Sequence, residues 1–399
     1  MTQRAPYFLL ISFTGLCVIF SSTMSKSPIL PLFAQSLMTS ETEMQYIGYV
    51  IAASTVPGIL VSAIAGRLSD MFGRAKILLA ATFVFATAPF FYLFATNIWT
   101  LMLIRFYHGF STAIFGPVAI AAIAETYPEQ KGERISAFSS ITLIGRFLAP
   151  LSGGFILYIT NYYYFGVYLV CAFSGIVGLS FALILYKSYI PPSESVHVEN
   201  RPHLTLQDFF KGLREAIKHR IVLVTSVIQA SQYFAYGIME AYIVLYAKAL
   251  VYDAWLIGIM PAVLVLLLVV FKPPMGRVSD RIGRKPVILA GLGLGGVTSL
   301  IMPYNANPLF LLLILSGFGI GMAMVISSTA AFVTDFVKKE NIGASIGILS
   351  TIMDIGQTIG PIVSGYILAI FSYWGVFSLV GIVLILSSGI FFFSIPREI

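Results

Sequence analysis

Apolar runs of about 20 residues recur along the whole chain, and this recurrence limits its possible folds more than any other feature. Each run is long enough to cross about 30 Å of hydrocarbon as an α-helix. Hydrophobic residues make up 58% of the 399 positions and charged residues only 10%, which leaves more apolar surface than a soluble core can bury. Because there are about twelve such runs, we predict an all-α, polytopic membrane protein with twelve transmembrane helices.

We number the predicted spans 1 to 12 in chain order. Spans 1 to 6 are predicted at about Tyr7–Phe33, Ile47–Ala65, Ile77–Ala95, Thr100–Glu125, Ile135–Ile159 and a stretch ending near Tyr186. Spans 7 to 12 follow between Ile221 and about Phe393. The polar segment between them contains LTLQDFFKGLREAIKH, whose apolar residues at helical spacing predict an amphipathic helix on the membrane surface. The predicted domains are therefore a six-helix bundle at 1–190, a cytoplasmic linker at 191–220 and a second six-helix bundle at 221–399.

Two charged, glycine-containing loops interrupt the apolar pattern at equivalent places. GRLSDMFGRAK begins at Gly66 and GRVSDRIGRKP begins at Gly276, about 210 residues later. Neither loop can lie in hydrocarbon, so each is predicted to be a short turn at the membrane surface. A second repeat, GRFLAPLSGG from Gly145 and GQTIGPIVSG from Gly356, has nearly the same offset. The chain is therefore predicted to be two pseudo-symmetric halves of six helices each.

The basic residues predict the orientation of the chain. The net charge is +7, and roughly twenty of the 24 Lys and Arg residues follow even-numbered spans, lie in the mid-chain segment or lie at the termini. Positive charge concentrates on the cytoplasmic side of membrane proteins. We therefore expect both termini and both charged loops to be cytoplasmic, in the plasma membrane of a prokaryote. Since the charge is explained by topology, we expect no nucleic-acid partner.

The pattern of the repeated loop resembles the signature loop between the second and third helices of major facilitator superfamily transporters. The resemblance covers nearly the whole chain. It implies that the loop acts as a latch across the domain interface and stabilises the outward-open state. By position, that role would fall on the following residues: Gly66, Arg67, Asp70, Gly73 and Arg74, with Asp280 and Arg284 as a weaker second copy. The alternative is that the basic residues of the loop only determine topology.

Span 4 begins LIRFYHGF, which resembles the family's R-x-x-Q-G pattern. Arg105 and Gly109 match this pattern, whereas His108 stands where the family usually has glutamine. Arg105 and His108 share a helix face. In drug–proton antiporters the matching arginine is associated with proton transfer, so the resemblance makes both residues candidates for proton coupling. The alternative is an arginine that extends to water at the outer surface.

Span 5 contains G-x-x-x-A-P-x-x-G-G between Gly145 and Gly154. Its small residues permit close helix contact, and Pro150 bends the helix. The pattern resembles the motif that marks the antiporter branch of the superfamily, carried here by Gly145, Pro150, Gly153 and Gly154. A charge deep in a span is costly when unpaired. Arg146 therefore needs either a structural ion pair or a role in binding substrate.

Spans 7 and 11 carry polar residues at steps of three and four. These residues are predicted to line a substrate cavity: Gln229, Gln232, Tyr233 and Tyr236 in span 7, and Gln357 in span 11. Glu240 and Asp354 are carboxylates well inside the same spans. Intramembrane carboxylates of transporters are candidates for binding a proton or a cation, and Asp354 is the deeper of the two.

Lys26 lies in the second half of span 1, where many drug–proton antiporters have a carboxylate. Three interpretations are open. Lys26 could pair with Asp354 across the two halves, since spans 1, 5, 7 and 11 border the cavity in this family. It could instead bind an anionic substrate together with Arg146, or it could extend to the outer interface.

The resemblance implies a secondary transporter that works by alternating access, closest to proton-coupled exporters of small amphipathic compounds. The alternatives are a carrier for a small organic anion or a sugar, and a transport-inactive receptor or scaffold of the same fold. The sequence has no nucleotide-binding P-loop, no zinc-ligand pattern and no nucleophile–base constellation. We therefore expect no enzyme activity, catalytic residues, cofactor or metal. The expected partners are a small molecule, protons and lipid, with the protein a monomer.

Overall fold

A computed structural model describes residues 4–188, 220–336 and 342–395. All regular elements of these residues are helices. Eleven helical stretches are long and apolar enough to cross a membrane: Pro6–Ser36, Glu43–Val61, Arg74–Tyr92, Ile98–Thr126, Lys131–Ile159, Tyr164–Ser188, Arg220–Ala249, Ala254–Ile282, Arg284–Tyr304, Pro308–Phe336 and Leu349–Ser394. The last has 46 residues and changes direction at Ser372, whose φ is 57°, so it supplies spans 11 and 12. The twelve-span prediction is confirmed.

Spans 1 and 2 each consist of two helices, whereas the sequence predicted continuous ones. Span 1 is divided into Arg4–Lys26 and Ile29–Ser36, and span 2 into Ile47–Ala52 and Val56–Phe72. Proline is present at both breaks, where it has no backbone N–H to continue the helical hydrogen bonds. Pro28 lies in the first break, and Pro57 lies in the first turn of the helix that follows the second.

The repeated charged loop is mostly helical. The second helix of span 2 continues to Phe72 and the helix of span 3 begins at Arg74, so the turn between them is a single residue, Gly73. Gly73 has a φ of 91°, and Gly283 in the second copy has a φ of 97°. Glycine adopts this left-handed region without steric cost, which explains why each one-residue turn contains it.

The described residues form two compact units. Residues 4–188 and Ala247–Ala262 make up the first, and residues 220–246 and 263–395 make up the second. The segment Ala247–Ala262 contains the end of span 7 and the start of span 8, so it lies in the second half of the sequence but packs with the first unit. The amphipathic helix predicted in the linker lies outside the described residues.

Within each unit, glycines bring helices into backbone contact. In the first unit a Cβ atom at Gly145 of span 5 would lie 3.0 Å from the Leu16 carbonyl oxygen of span 1. In the second unit a Cβ atom at Gly356 of span 11 would lie 2.3 Å from the Ala230 carbonyl oxygen of span 7. Small residues allow such approaches in membrane proteins, where packing replaces the hydrophobic effect between helices.

Candidate functional site

The first copy of the repeated loop is organised around Arg74, whose side chain is almost fully buried. Its guanidinium donates two hydrogen bonds to the Glu125 carboxylate, from Nε to Oε2 at 3.2 Å and from Nη2 to Oε1 at 2.6 Å. Arg74 also forms an ion pair with Asp70 and donates to the Ser69 hydroxyl. A bidentate arginine–carboxylate pair fixes the orientation of both groups, so this cluster joins the ends of spans 2, 3 and 4. The side chain of Arg67 lies outside those that the structure describes.

The second copy repeats this cluster. Arg284 donates from Nε to Asp335 Oδ2 at 3.2 Å and from Nη1 to the Ser279 hydroxyl at 3.3 Å, and it forms an ion pair with Asp280. Its side chain is 22% exposed, compared with 7% for the equivalent Arg74. The second cluster is therefore more accessible to water, which weakens ion pairs.

Sequence reasoning missed one acidic member of each cluster. Glu125 ends span 4 and Asp335 ends span 10, each far from its loop in the sequence. The available signal was their separation of about 210 residues, which equals that of the two loops. Both carboxylates therefore belong to the repeated arrangement.

Arg105 of span 4 is buried and bonded only to neutral groups among the described residues. Its Nη1 donates to the Tyr92 hydroxyl at 3.2 Å and its Nη2 donates to the Ser54 hydroxyl at 2.6 Å. The Tyr92 hydroxyl also lies 3.2 Å from Nδ1 of His108, which is buried as well. The two candidates from span 4 thus belong to one hydrogen-bonded chain, which reaches span 2 through Ser54 and span 3 through Tyr92.

Gly109 packs directly against the break in span 2. A Cβ atom at Gly109 would lie 2.4 Å from the Ser54 carbonyl oxygen, so no larger residue fits there without a shift. Arg105 and Gly109 lie one helical turn apart on the same face. Both residues therefore contact Ser54: Arg105 binds its hydroxyl, and Gly109 lies against its backbone carbonyl.

The antiporter-type motif of span 5 makes backbone contacts with two other helices of the first unit. Gly145 and Gly153 lie against span 1. A Cβ atom at Gly154 would lie 2.7 Å from the Gly258 Cα atom of span 8, and one at Gly258 would lie 2.5 Å from the Pro150 carbonyl oxygen. The small residues of the motif thus allow the backbone at the start of span 8 to pack directly against span 5.

Gln229 and Gln232, predicted to line a cavity, are buried in the structure. Gln229 Oε1 accepts a hydrogen bond from the Thr329 hydroxyl of span 10 at 2.6 Å. Neither amide atom of Gln232 has a hydrogen-bonding partner in the described part of the chain. Gln229 therefore connects two helices of the second unit, while Tyr233, Tyr236 and Glu240 on the same span are half-buried.

Asp354 lies inside span 11 and its side chain is half-buried. No described residue forms a hydrogen bond or an ion pair with its carboxylate; only its backbone carbonyl accepts a bond, from Thr358. Gln357, one turn later, is also half-buried. A carboxylate in this setting can bind a proton or a cation, because no described basic side chain is paired with it.

The two predicted basic candidates differ in exposure. Arg146 of span 5 has an exposed side chain and forms no hydrogen bond or ion pair with any residue that the structure describes. Lys26 ends the first helix of span 1 and is half-buried. Lys26 and Asp354 belong to different compact units, and their pairing stays a prediction.

A small polar cluster lies beside the loop between spans 5 and 6. The Lys248 ammonium lies 5.7 Å from the centre of the Tyr162 ring. Burial, and then the negative charge of Asp253, raise the pKa of the Tyr162 hydroxyl. Asn161, Tyr162 and Val251 all have positive φ angles, which non-glycine residues adopt only with strain. The described residues contain no group of three His, Cys, Asp or Glu side chains that could hold a metal ion.

Comparison with known proteins identifies similar sequences along almost the whole chain. The model of the Major Facilitator Superfamily matches residues 11–271 and 256–398. An uncharacterized MFS-type transporter of Methanocaldococcus jannaschii is 24% identical over 344 residues, which cover 86% of each chain. A Lactococcus lactis subsp. lactis protein named as a homolog of the multi-drug resistance efflux pump PmrA is 24% identical over 375 residues, covering 92% of this chain and 89% of the relative.

Solved structures show the same architecture. The structure of a bacterial homolog of the human lysosomal transporter Spinster has a TM-score of 0.81 and 15% identity, covering 98% of this chain and 97% of that chain. The nucleoside transporter NupG has a TM-score of 0.78 and 14% identity, covering 99% of each chain. At these identities the similarity shows the fold alone.

Proposed function

Because the chain belongs to the major facilitator superfamily, we propose that it is a secondary transporter that exports small amphipathic compounds in exchange for protons. The observation that carries this proposal is Asp354, a half-buried carboxylate inside span 11 with no bonding partner among the described residues. The names of the distant relatives support export of drug-like compounds.

Asp354 suits proton exchange because its carboxylate can hold a proton or a cationic compound in turn. The protonated form costs less to bury than the ionised form. Binding that differs between the two conformations of a transporter shifts their populations, which is the basis of coupling. In this mechanism, proton entry releases the compound and deprotonation permits the next one to bind. Glu240 in span 7 is the second candidate for this role.

The signature loop would stabilise one of the two conformations. The Arg74 and Arg284 clusters hold the ends of three helices together in each half. A helix N-terminus of the other half can attract the Asp70 carboxylate, which is more than half exposed. We propose that this attraction is the latch of the outward-open state, with Asp280 as its weaker second copy.

The placement of positive charge supports an orientation with both termini in the cytoplasm. The proposed location is the plasma membrane of a prokaryote, and the proposed form is a monomer.

A specific observation favours a second candidate function, the carriage of an organic anion. Arg146 lies within a span, is exposed, and has no bonding partner among the residues described. A carboxylate or phosphate group of a substrate would satisfy its guanidinium. In this alternative Lys26 would contribute a second positive charge.

Purified protein in liposomes distinguishes the two functions. A pH-sensitive dye outside the liposomes reports proton movement when cationic lipophilic compounds or small organic anions are added. For the exchanger, cationic compounds move protons and Asp354→Asn reduces the signal to that of protein-free liposomes. Glu129→Gln is the matched control, because Glu129 is exposed in the turn before span 5 and its variant should behave as wild type.

A signal from anions alone would contradict proton-coupled export and support the second candidate function. If only anions produce a signal, and Arg146→Gln or Lys26→Ala removes it while Asp354→Asn does not, the protein is an anion carrier.

A further inference from the structure

The side chains of His108, Tyr92, Arg105 and Ser54 form one series of hydrogen bonds. A guanidinium only donates, so the Tyr92 oxygen accepts from Arg105. The single Tyr92 hydrogen is then available for Nδ1 of His108 at 3.2 Å. No other described residue offers an acceptor to this hydrogen, so the tautomer that satisfies it is the neutral ring with Nδ1 as acceptor and its own hydrogen on Nε2.

The second half of the protein has apolar side chains where the first half has these hydrogen-bonded residues. The equivalent positions, about 210 residues later, are all apolar and buried: Leu264, Met302, Leu315 and Phe318. The glycine also faces the equivalent residue, though less closely: a Cβ atom at Gly319 would lie 3.4 Å from the Leu264 carbonyl oxygen, whereas one at Gly109 would lie 2.4 Å from that of Ser54. Buried polar groups are costly inside a membrane, so their presence in only one half points to function.

Ser54, the last residue of this hydrogen-bonded series, lies at the break in span 2. Ser54 is between the helices Ile47–Ala52 and Val56–Phe72, where the helical hydrogen bonds are interrupted. Its hydroxyl accepts a hydrogen bond from Arg105 at 2.6 Å, which is shorter than the two bonds made by the Tyr92 hydroxyl. The position of the Arg105 guanidinium therefore bears directly on the geometry of this break.

We propose that His108 is a positioning residue and not a proton carrier: it accepts the Tyr92 hydrogen, turns the Tyr92 oxygen towards Arg105, and so holds the guanidinium against Ser54 at the break in span 2. The ring stacking of Tyr92 on Tyr168, with centroids 4.5 Å apart, supports the Tyr92 ring from span 6. The ionisable groups around His108 are Arg105 of its own span, Tyr92 of span 3 and, against Tyr92, Tyr168 and Cys171 of span 6.

Hydrogen exchange of the backbone amides at residues 53–56 and 58, in lipid nanodiscs, tests the positioning role without any substrate. His108→Leu removes the acceptor and should raise the exchange rate about fivefold, the value of one hydrogen bond between neutral groups. Tyr92→Phe should do the same, and the double variant should exchange no faster than either single one. His108→Asn, whose amide oxygen can replace Nδ1, should stay within about twofold of wild type.

Each contrary result overturns the assignment. Unchanged exchange in His108→Leu would mean that the acceptor does not matter. Exchange in His108→Asn as fast as in His108→Leu would mean that Nδ1 is not the relevant atom.

The liposome assay tests whether His108 carries a proton during transport. This is the one part of the test that rests on the proposed function. His108→Asn should keep wild-type proton movement and its pH profile, whereas a proton carrier would lose both. Failure of the wild type to move protons would refute the proposed function and leave the hydrogen-exchange result standing.

A folding control uses the residues of the second half. The combined variant Ser54→Leu, Tyr92→Met, Arg105→Leu and His108→Phe should remain monodisperse in detergent. If it cannot fold, the chain is required for packing and the argument from the second half is wrong.

Discussion

The Arg74 guanidinium binds the Glu125 carboxylate through two parallel hydrogen bonds that connect the start of span 3 to the end of span 4. Arg284 and Asp335 form the equivalent pair about 210 residues later, through a single hydrogen bond from Nε to Oδ2. The second pair has one hydrogen bond fewer and is more exposed to water, so it serves as the weaker counterpart of the first.

Arg74→Lys should destabilise the protein because lysine cannot make the bidentate contact with the Glu125 carboxylate. We expect a loss of about 1–3 kcal/mol in the free energy of unfolding. Thermal unfolding in detergent measures it. Arg284→Lys is the matched variant and should lose less, because Arg284 is more exposed. A larger loss for Arg284→Lys would contradict the interpretation.

Gly154→Ala should separate span 5 from span 8, because its new Cβ atom would lie 2.7 Å from the Gly258 Cα atom. Overpacking of this kind costs about 1–3 kcal/mol, and we expect lower thermal stability together with reduced transport. Gly116→Ala is the control, since no heavy atom beyond its chain neighbours and the nearby backbone of its own helix lies within 4 Å of its Cβ position. Equal behaviour of the two variants would show that the contact is not tight.

Gln229→Leu should weaken the second unit by about 1 kcal/mol, because the Thr329 hydroxyl loses its acceptor. A double-mutant cycle with Thr329→Val, followed by thermal unfolding, isolates this pair. Gln232→Leu gives the opposite expectation. Its amide has no partner among the described residues, so an apolar replacement should leave stability unchanged or increase it. A clear loss for Gln232→Leu would reveal a partner for its amide.

Lys285→Met should loosen the end of span 12. The Lys285 ammonium donates to the backbone carbonyls of Phe392, at 3.1 Å, and Ile395. Carbonyls at a helix C-terminus lack partners within their own helix, so hydrogen exchange near residues 388–395 should increase about tenfold. Lys272→Met, which changes an exposed lysine, should leave this exchange as in wild type.

The sequence was sufficient to predict the twelve spans and the fold, because apolar length and repeated motifs are local properties. It did not show that Glu125 completes the Arg74 cluster, since the two residues meet only after spans 3 and 4 fold back on each other. Helical periodicity placed Gln229 and Gln232 on one face but could not say which neighbouring helix covers that face. The break at Ser54 was also missed, although Pro57 was a local signal for it.

The segment Ala247–Ala262 completes the first compact unit although it follows the linker in the chain. During synthesis, spans 1 to 6 leave the ribosome before this segment has been translated. The contacts of Pro150 and Gly154 with Gly258 can therefore form only later. The first unit therefore cannot finish assembling in the order in which it is translated, and a truncated polypeptide ending at the linker would lack part of its own interior.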